Sequence, residues 1–178
     1  MAFCPEHWFM VGEQVYCRRH ASTIVALGSN TEAGAMPDLE DRGPSLVNFV
    51  ANTVGAEVDA LLRATARHTE TVQSDSEVVV LLDHQRRRRW ERNWKLLEAT
   101  GMSLKVSLSV TEGGDEALVE VRVDSTVVAS GVPPWIARRR AGLSVDNQVD
   151  AEQREIFQRF LVTQITEAVA QRRPADRR

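Results

Sequence analysis

The feature that most constrains this chain is a strict alternation: Met102, Leu104, Val106, Leu108 and Val110 are interleaved with Ser103, Lys105, Ser107, Ser109 and Thr111. Successive side chains of a strand point to opposite faces, so this run predicts a strand with one buried and one polar face. Glu112-Gly113-Gly114-Asp115 carries turn chemistry, and Ala117, Val119, Val121 and Val123 answer from a return strand. A further short strand is expected at Val127 to Ala129.

Around this hairpin the apolar period changes. Leu46, Val47, Val50, Val54, Val58, Leu61 and Leu62 recur at helical spacing behind Ser45, a helix-capping residue, which predicts a helix to about Arg67. Ile156, Phe157, Phe160, Leu161, Ile165, Ala168 and Val169 form a second helical stripe, expected to start near Asp150 with Gln153 completing a capping box. Between them, Glu77 to Leu82 is a β-branched run that predicts a strand covered on both faces. Trp90, Trp94 and Leu97 fall at i, i+4, i+7 and predict a third helix from Gln85 to Thr100, stopped by Gly101. Val132-Pro133-Pro134-Trp135 is expected to be extended or turning.

The expected fold is therefore α+β: a mostly antiparallel sheet of three or four strands packed with about three helices. It follows a short metal-binding front end. The expected divisions are a zinc-binding module over 1–27, a linker over 28–44 rich in Gly, Ser, Asn, Pro and acids, an α+β domain over 45–173, and a tail over 174–178.

The front end rests on a repeated unit, Cys4-Pro5-Glu6-His7 and Cys17-Arg18-Arg19-His20, which contains both cysteines of the chain. Two residues between ligands let a tight turn aim both side chains at one point, and two such turns supply the four ligands of tetrahedral Zn²⁺. Strand-like pieces around Gly12-Glu13 would set the two turns side by side, in an arrangement that resembles a short zinc ribbon or knuckle. Most ribbons use paired cysteines, whereas here each second ligand is histidine. Two reduced cysteines, or a Cys4–Cys17 disulfide, are the competing readings. Four protein ligands close the coordination sphere, so the zinc is expected to be structural.

Two further segments invite a functional reading. Arg86, Arg87, Arg88 and Arg89, followed by Trp90 and Trp94, offer a basic helix start for a partner, either an acidic protein surface or nucleic acid. The net charge of −3 favours the protein. Asp83 and His84 at the end of a strand offer an acid–base pair for an enzyme, although adjacent residues on an extended segment point apart. Trp135, followed by Arg138-Arg139-Arg140, is a docking loop or else a plain connector with a solvated charge run. No zincin, nucleophile-elbow, phosphate-loop or dinucleotide motif is present.

No apolar run approaches the roughly 20 residues of a membrane helix, and Pro5, Glu6 and His7 interrupt any signal-peptide core. A cytoplasmic location is expected. Only Lys95 and Lys105 among 22 basic residues are lysine, which points to a GC-rich bacterial or viral genome. The function expected from the whole is a non-catalytic, zinc-stabilised protein-interaction subunit or adaptor of a larger assembly.

Overall fold

The computed structural model describes residues 8–11, 14–17, 21, 41–144 and 146–173. A hairpin of β1 (Trp8–Val11) and β2 (Gln14–Cys17) comes first, with Trp8 opposite Cys17. Then follow α1 (Gly43–Thr65), β3 (Thr71–Ser74), β4 (Val79–Leu82), β5 (Arg88–Glu98), β6 (Gly101–Thr111), β7 (Val119–Val123), β8 (Thr126–Gly131), α2 (Pro134–Arg140) and α3 (Asn147–Arg172). The fold is α+β. Its main sheet is antiparallel in the order β3-β5-β6-β7-β8, with β4 also paired to β5. It has six strands, against the three or four expected.

The alternating run becomes β6, the central strand, and its apolar set Leu104, Val106, Leu108 and Val110 is buried. β7 answers it with Val119, Val121 and Val123, paired so that Val106 faces Val123 and Leu108 faces Val121. Onto this face α1 lays Leu46, Val47, Val50, Val54, Val58 and Leu62, and α3 lays Phe157, Leu161, Ile165 and Val169. Each set is a stripe at roughly helical period, which is why both segments are helices packed on one sheet face. Helix α1 begins two residues before the expected Ser45, with Pro44 in its first turn, where the missing N–H is harmless. Helix α3 is capped by Asp146, whose Oδ1 accepts from the amides of Gln148 (3.0 Å) and Val149 (3.2 Å), earlier than the expected start near Asp150.

The largest correction concerns residues 85–100, expected as a helix and found as a turn followed by β5. Residues four apart share a face in a helix and also in a strand, so the Trp90 and Trp94 spacing fits both. The deciding positions are the even ones between and beyond them. Arg92 and Leu96 are buried on the same face as the two indoles, whereas Leu97 is only half-buried. Gly101 is not a helix stop but part of the β5–β6 turn, where it adopts φ 133°, a conformation closed to most L residues.

The segment read as extended holds a short helix, α2, entered through Pro133 and Pro134. It seats Trp135 in the core between Phe49 (ring centroids 6.0 Å apart) and Phe157 (5.6 Å), both edge-on. The Arg154 guanidinium lies 5.1 Å from the Phe49 ring centre and 5.6 Å from that of Trp135.

The opposite sheet face is polar. Glu91, 1% exposed, takes Arg89 at 2.6 Å and Lys105 at 3.0 Å. Burial pushes the Glu91 carboxyl up, but the hydrogen bonds and charges of Lys105 and Arg89 outweigh it and hold it below its ordinary value. Asp75 similarly receives Asn93 Nδ2 at 2.6 Å and Lys95 Nζ at 3.3 Å.

Candidate interaction edge and its arginine turn

β3 and β4 are two halves of one edge, both hydrogen-bonded to β5. Asp75 N–H still donates to Asn93 O (2.8 Å), in register with β3, and Val79 then resumes opposite Glu91. Ser76, Glu77 and Val78 therefore face only Arg92 and form a bulge. Arg92 stabilises that bulge from the core side. Its Nε donates to Asp75 O (2.9 Å) and its Nη1 to Asn48 Oδ1 on α1 (2.7 Å).

Beyond the bulge, β4 differs from the expected strand. Val79, Val80, Leu81 and Leu82 are 37%, 47%, 41% and 69% exposed, so the run is covered on neither face. Among the described residues β4 pairs with β5 alone, leaving its outer side open. The register shows which backbone groups point outward. Asp83 N–H donates to Arg87 O (3.0 Å), making that pair hydrogen-bonded. Pairs alternate along an antiparallel ladder, so Leu81–Arg89 and Val79–Glu91 bond inward. The N–H and C=O groups of Val80 and Leu82 are left pointing away from the sheet. Edges are ordinarily blunted by lysine, proline, bulges or inward charges. The bulge does this next to β3; Val79–Leu82 carries none of these devices.

The arginine run sits at the end of this edge, in a β4–β5 turn rather than at a helix start. Arg86 takes φ 59°, the left-handed residue that lets a three-residue loop close the hairpin. Asp83 organises the turn: Oδ1 accepts from the amides of Gln85 and Arg87 (both 2.8 Å) and Oδ2 from Arg87 Nε (2.8 Å). Desolvation pushes the Asp83 carboxyl up, yet these bonds and the Arg87 charge prevail, so its pKa lies below the ordinary value. Arg88 approaches Glu112, whose Oε2 also accepts from the Arg88 amide (2.9 Å), and Arg89 is held by Glu91. Of the four, Arg86 alone makes no ion pair among the described residues. His84 is exposed in the same loop.

The other sequence candidates fall elsewhere. Trp135, read as a docking residue, is 2% exposed, and its indole is a core side chain. Two of the three arginines after it, Arg139 and Arg140, are ties rather than members of a solvated run. Arg139 bridges Asp41 and Asp150 (3.4 Å to the latter), and Arg140 grips Asp115 through two bonds of 2.7 and 2.8 Å. Cys17 ends β2, while Cys4, His7 and His20 lie outside the described residues. Among the described residues no group of three or more His, Cys, Asp or Glu is arranged to hold a metal ion.

Sequence reasoning found the β4 run but not its exposure, because four consecutive apolar residues read the same in a buried strand and at a bare edge. The cluster around Glu70 and Arg173 was missed altogether, since 103 residues separate the partners and no motif links them. No family model, curated protein or solved structure matches this chain. No helix among the described residues is long and apolar enough to cross a membrane.

Proposed function

We propose that this chain is a non-catalytic protein-interaction module, a subunit or adaptor, that takes an extended partner segment onto the outer side of β4. The observation carrying this is the apolar edge, where Val80 and Leu82 present backbone groups that nothing among the described residues pairs, between exposed side chains. An added strand satisfies both residues at once: main-chain bonds supply affinity, and alternate side chains on the two faces supply specificity. Each such bond contributes about 0.5–1.5 kcal/mol net.

The arginine turn gives the edge a charged end suited to an acidic partner segment. Three of its four guanidinium groups already face carboxylates of the chain, which favours protein over nucleic acid. Asp83 directs its three hydrogen bonds into the turn, to Gln85 and Arg87, and none of them to His84, which favours a structural role for it. A structural zinc on Cys4, His7, Cys17 and His20 completes the proposal. The β1–β2 hairpin supports it, because its open end is where Cys17 leaves the ladder and where residue 7 precedes Trp8.

Selection of displayed peptides against the full chain tests the reading, with Val80→Pro as the counter-target. Proline there deletes an outward N–H and leaves the inward bonds of Val79 and Leu81 in place. Peptides of alternating apolar pattern should be enriched on the wild type and bind the variant at least about tenfold more weakly, roughly the effect of one lost bond. Selected peptides that bind both proteins equally would refute the edge as the site.

A further inference from the structure

We infer that β4 is built to pair with β4 of a second copy, antiparallel about a two-fold axis through Leu81. This rests on the proposed role of the edge and names its first occupant.

The argument is one of register. Outward groups belong to Val80 and Leu82, so a partner strand must present its own outward residues opposite them. For two identical strands only three two-fold registers meet that condition. An axis at Val80 sets Leu82 against Val78 of the partner, which lies in the bulge and is buried, so Leu82 finds no strand opposite it. An axis at Leu82 sets Val80 against His84 and Val79 against Gln85, leaving half the apolar run on a polar turn. An axis at Leu81 pairs Val80 with Leu82 twice, so four new main-chain bonds form and no outward group of either residue is left over. Isologous contact of this kind closes on itself and stops at a dimer.

Side chains agree with that register. On one face Val80 and Leu82 of each copy meet their counterparts; on the other the two Leu81 side chains meet at the axis. Charge agrees as well. The strand enters from an acidic side, Asp75 and Glu77, and leaves through Asp83, which Arg87 neutralises, into the arginine turn with Arg86. Antiparallel pairing brings each acidic entrance to the other copy's basic turn. Asp75 is already held by Asn93 and Lys95, and Arg87 by Asp83, whereas Glu77 and Arg86 make no ion pair among the described residues. Those two are the groups the second copy neutralises.

Four residues a side bury far less than the roughly 1,200 Å² of a standard interface, so the association is weak and concentration-dependent. Sedimentation of the full chain should show monomer at low concentration and a growing dimer fraction between about 10 and 300 µM, an affinity range expected of small interfaces. Leu82→Lys, at an exposed position that does not endanger folding, should hold the protein monomeric throughout, as should Val80→Pro. Leu81→Cys should oxidise to a dimer whose linked peptides join residue 81 to residue 81, since non-hydrogen-bonded pairs approach to about 4.5 Å between Cα atoms. The wild type controls for its two native cysteines.

A chain that stays monomeric with no 81–81 linkage overturns the inference, and so does a dimer indifferent to Leu82→Lys. If self-pairing fails while displayed peptides still bind in a Val80-dependent way, the edge serves other partners and only the inference falls. If the peptides fail too, both readings fall.

Discussion

Replacing Glu70 with Gln should destabilise the protein at neutral pH and matter much less in acid. Glu70 lies just before β3, its side chain fully covered. It accepts two bonds from Arg173 at the end of α3 (2.6 and 2.5 Å), one from the Ser103 hydroxyl on β6 (2.5 Å) and one from the Arg67 amide (2.7 Å). One carboxylate thus joins the end of α1, the central strand and the first residue after α3. The Arg173 hydrogen bonds are the main cause that lowers its pKa from 4.5 to about 2; burial opposes them, and the Arg67 and Ser103 bonds add to them. A group whose folded pKa is depressed contributes its stability above the unfolded value and loses it as pH falls through the folded value. At one pKa unit per 1.36 kcal/mol the ionised cluster contributes about 3 kcal/mol at pH 7, nearer 2 after allowing for the solvent that reaches Arg173. Urea unfolding of wild type and Glu70→Gln should differ by about 2–3 kcal/mol at pH 7, and the gap should shrink to under half by about pH 3. The loss should appear between pH 4.5 and about 2, not near neutrality. A gap that is the same at pH 7 and pH 3 would refute the ionic origin, leaving packing as the cause. A gap below about 0.5 kcal/mol at pH 7 would show the cluster to be no more than a surface pair.

Two other outcomes are expected. Trp94→Ala, which removes a 3%-exposed indole from beneath α1, should cost about 3–5 kcal/mol in chemical denaturation, and a cost below about 1 kcal/mol would contradict its place in the core. Elemental analysis of protein purified without added metal should find about one zinc per chain, lost in Cys17→Ser; a metal-free chain with its β1–β2 hairpin intact would end the zinc proposal.

What was legible from sequence, and what was not, follows from which interactions are local. The β6–β7 hairpin declared itself because one periodicity ran for ten residues with glycines in the turn, and nothing helical fits strict alternation. Helices α1 and α3 declared themselves for the same reason at the other period. β5 did not, because two tryptophans four apart are neutral between the periods, and Arg92 obscured the alternation by standing where an apolar residue belongs. Its burial is stabilised by Asn48 and by the backbone at Asp75, 44 and 17 residues away, which no local reading supplies. The preceding turn hid as well: His84-Gln85-Arg86 contains no Gly, Pro or Asn, and its left-handed residue is an arginine. The site was obscured by the same misreading. With a helix placed at 85–100, Val79–Leu82 looks like a strand lying under that helix, and burial on both faces follows. With 88–98 as a strand, β4 becomes the last strand beyond β5, and the helical layer, centred on β5, β6 and β7, does not reach over it. The apolar character of Val79–Leu82 then cannot be assigned to the monomer's own core. An apolar run that, among the described residues, is open on its outer side and exposed on both faces is a liability unless something pairs with it. That makes a paired state of this edge, whether with a second copy or with another chain, the condition under which its sequence makes physical sense.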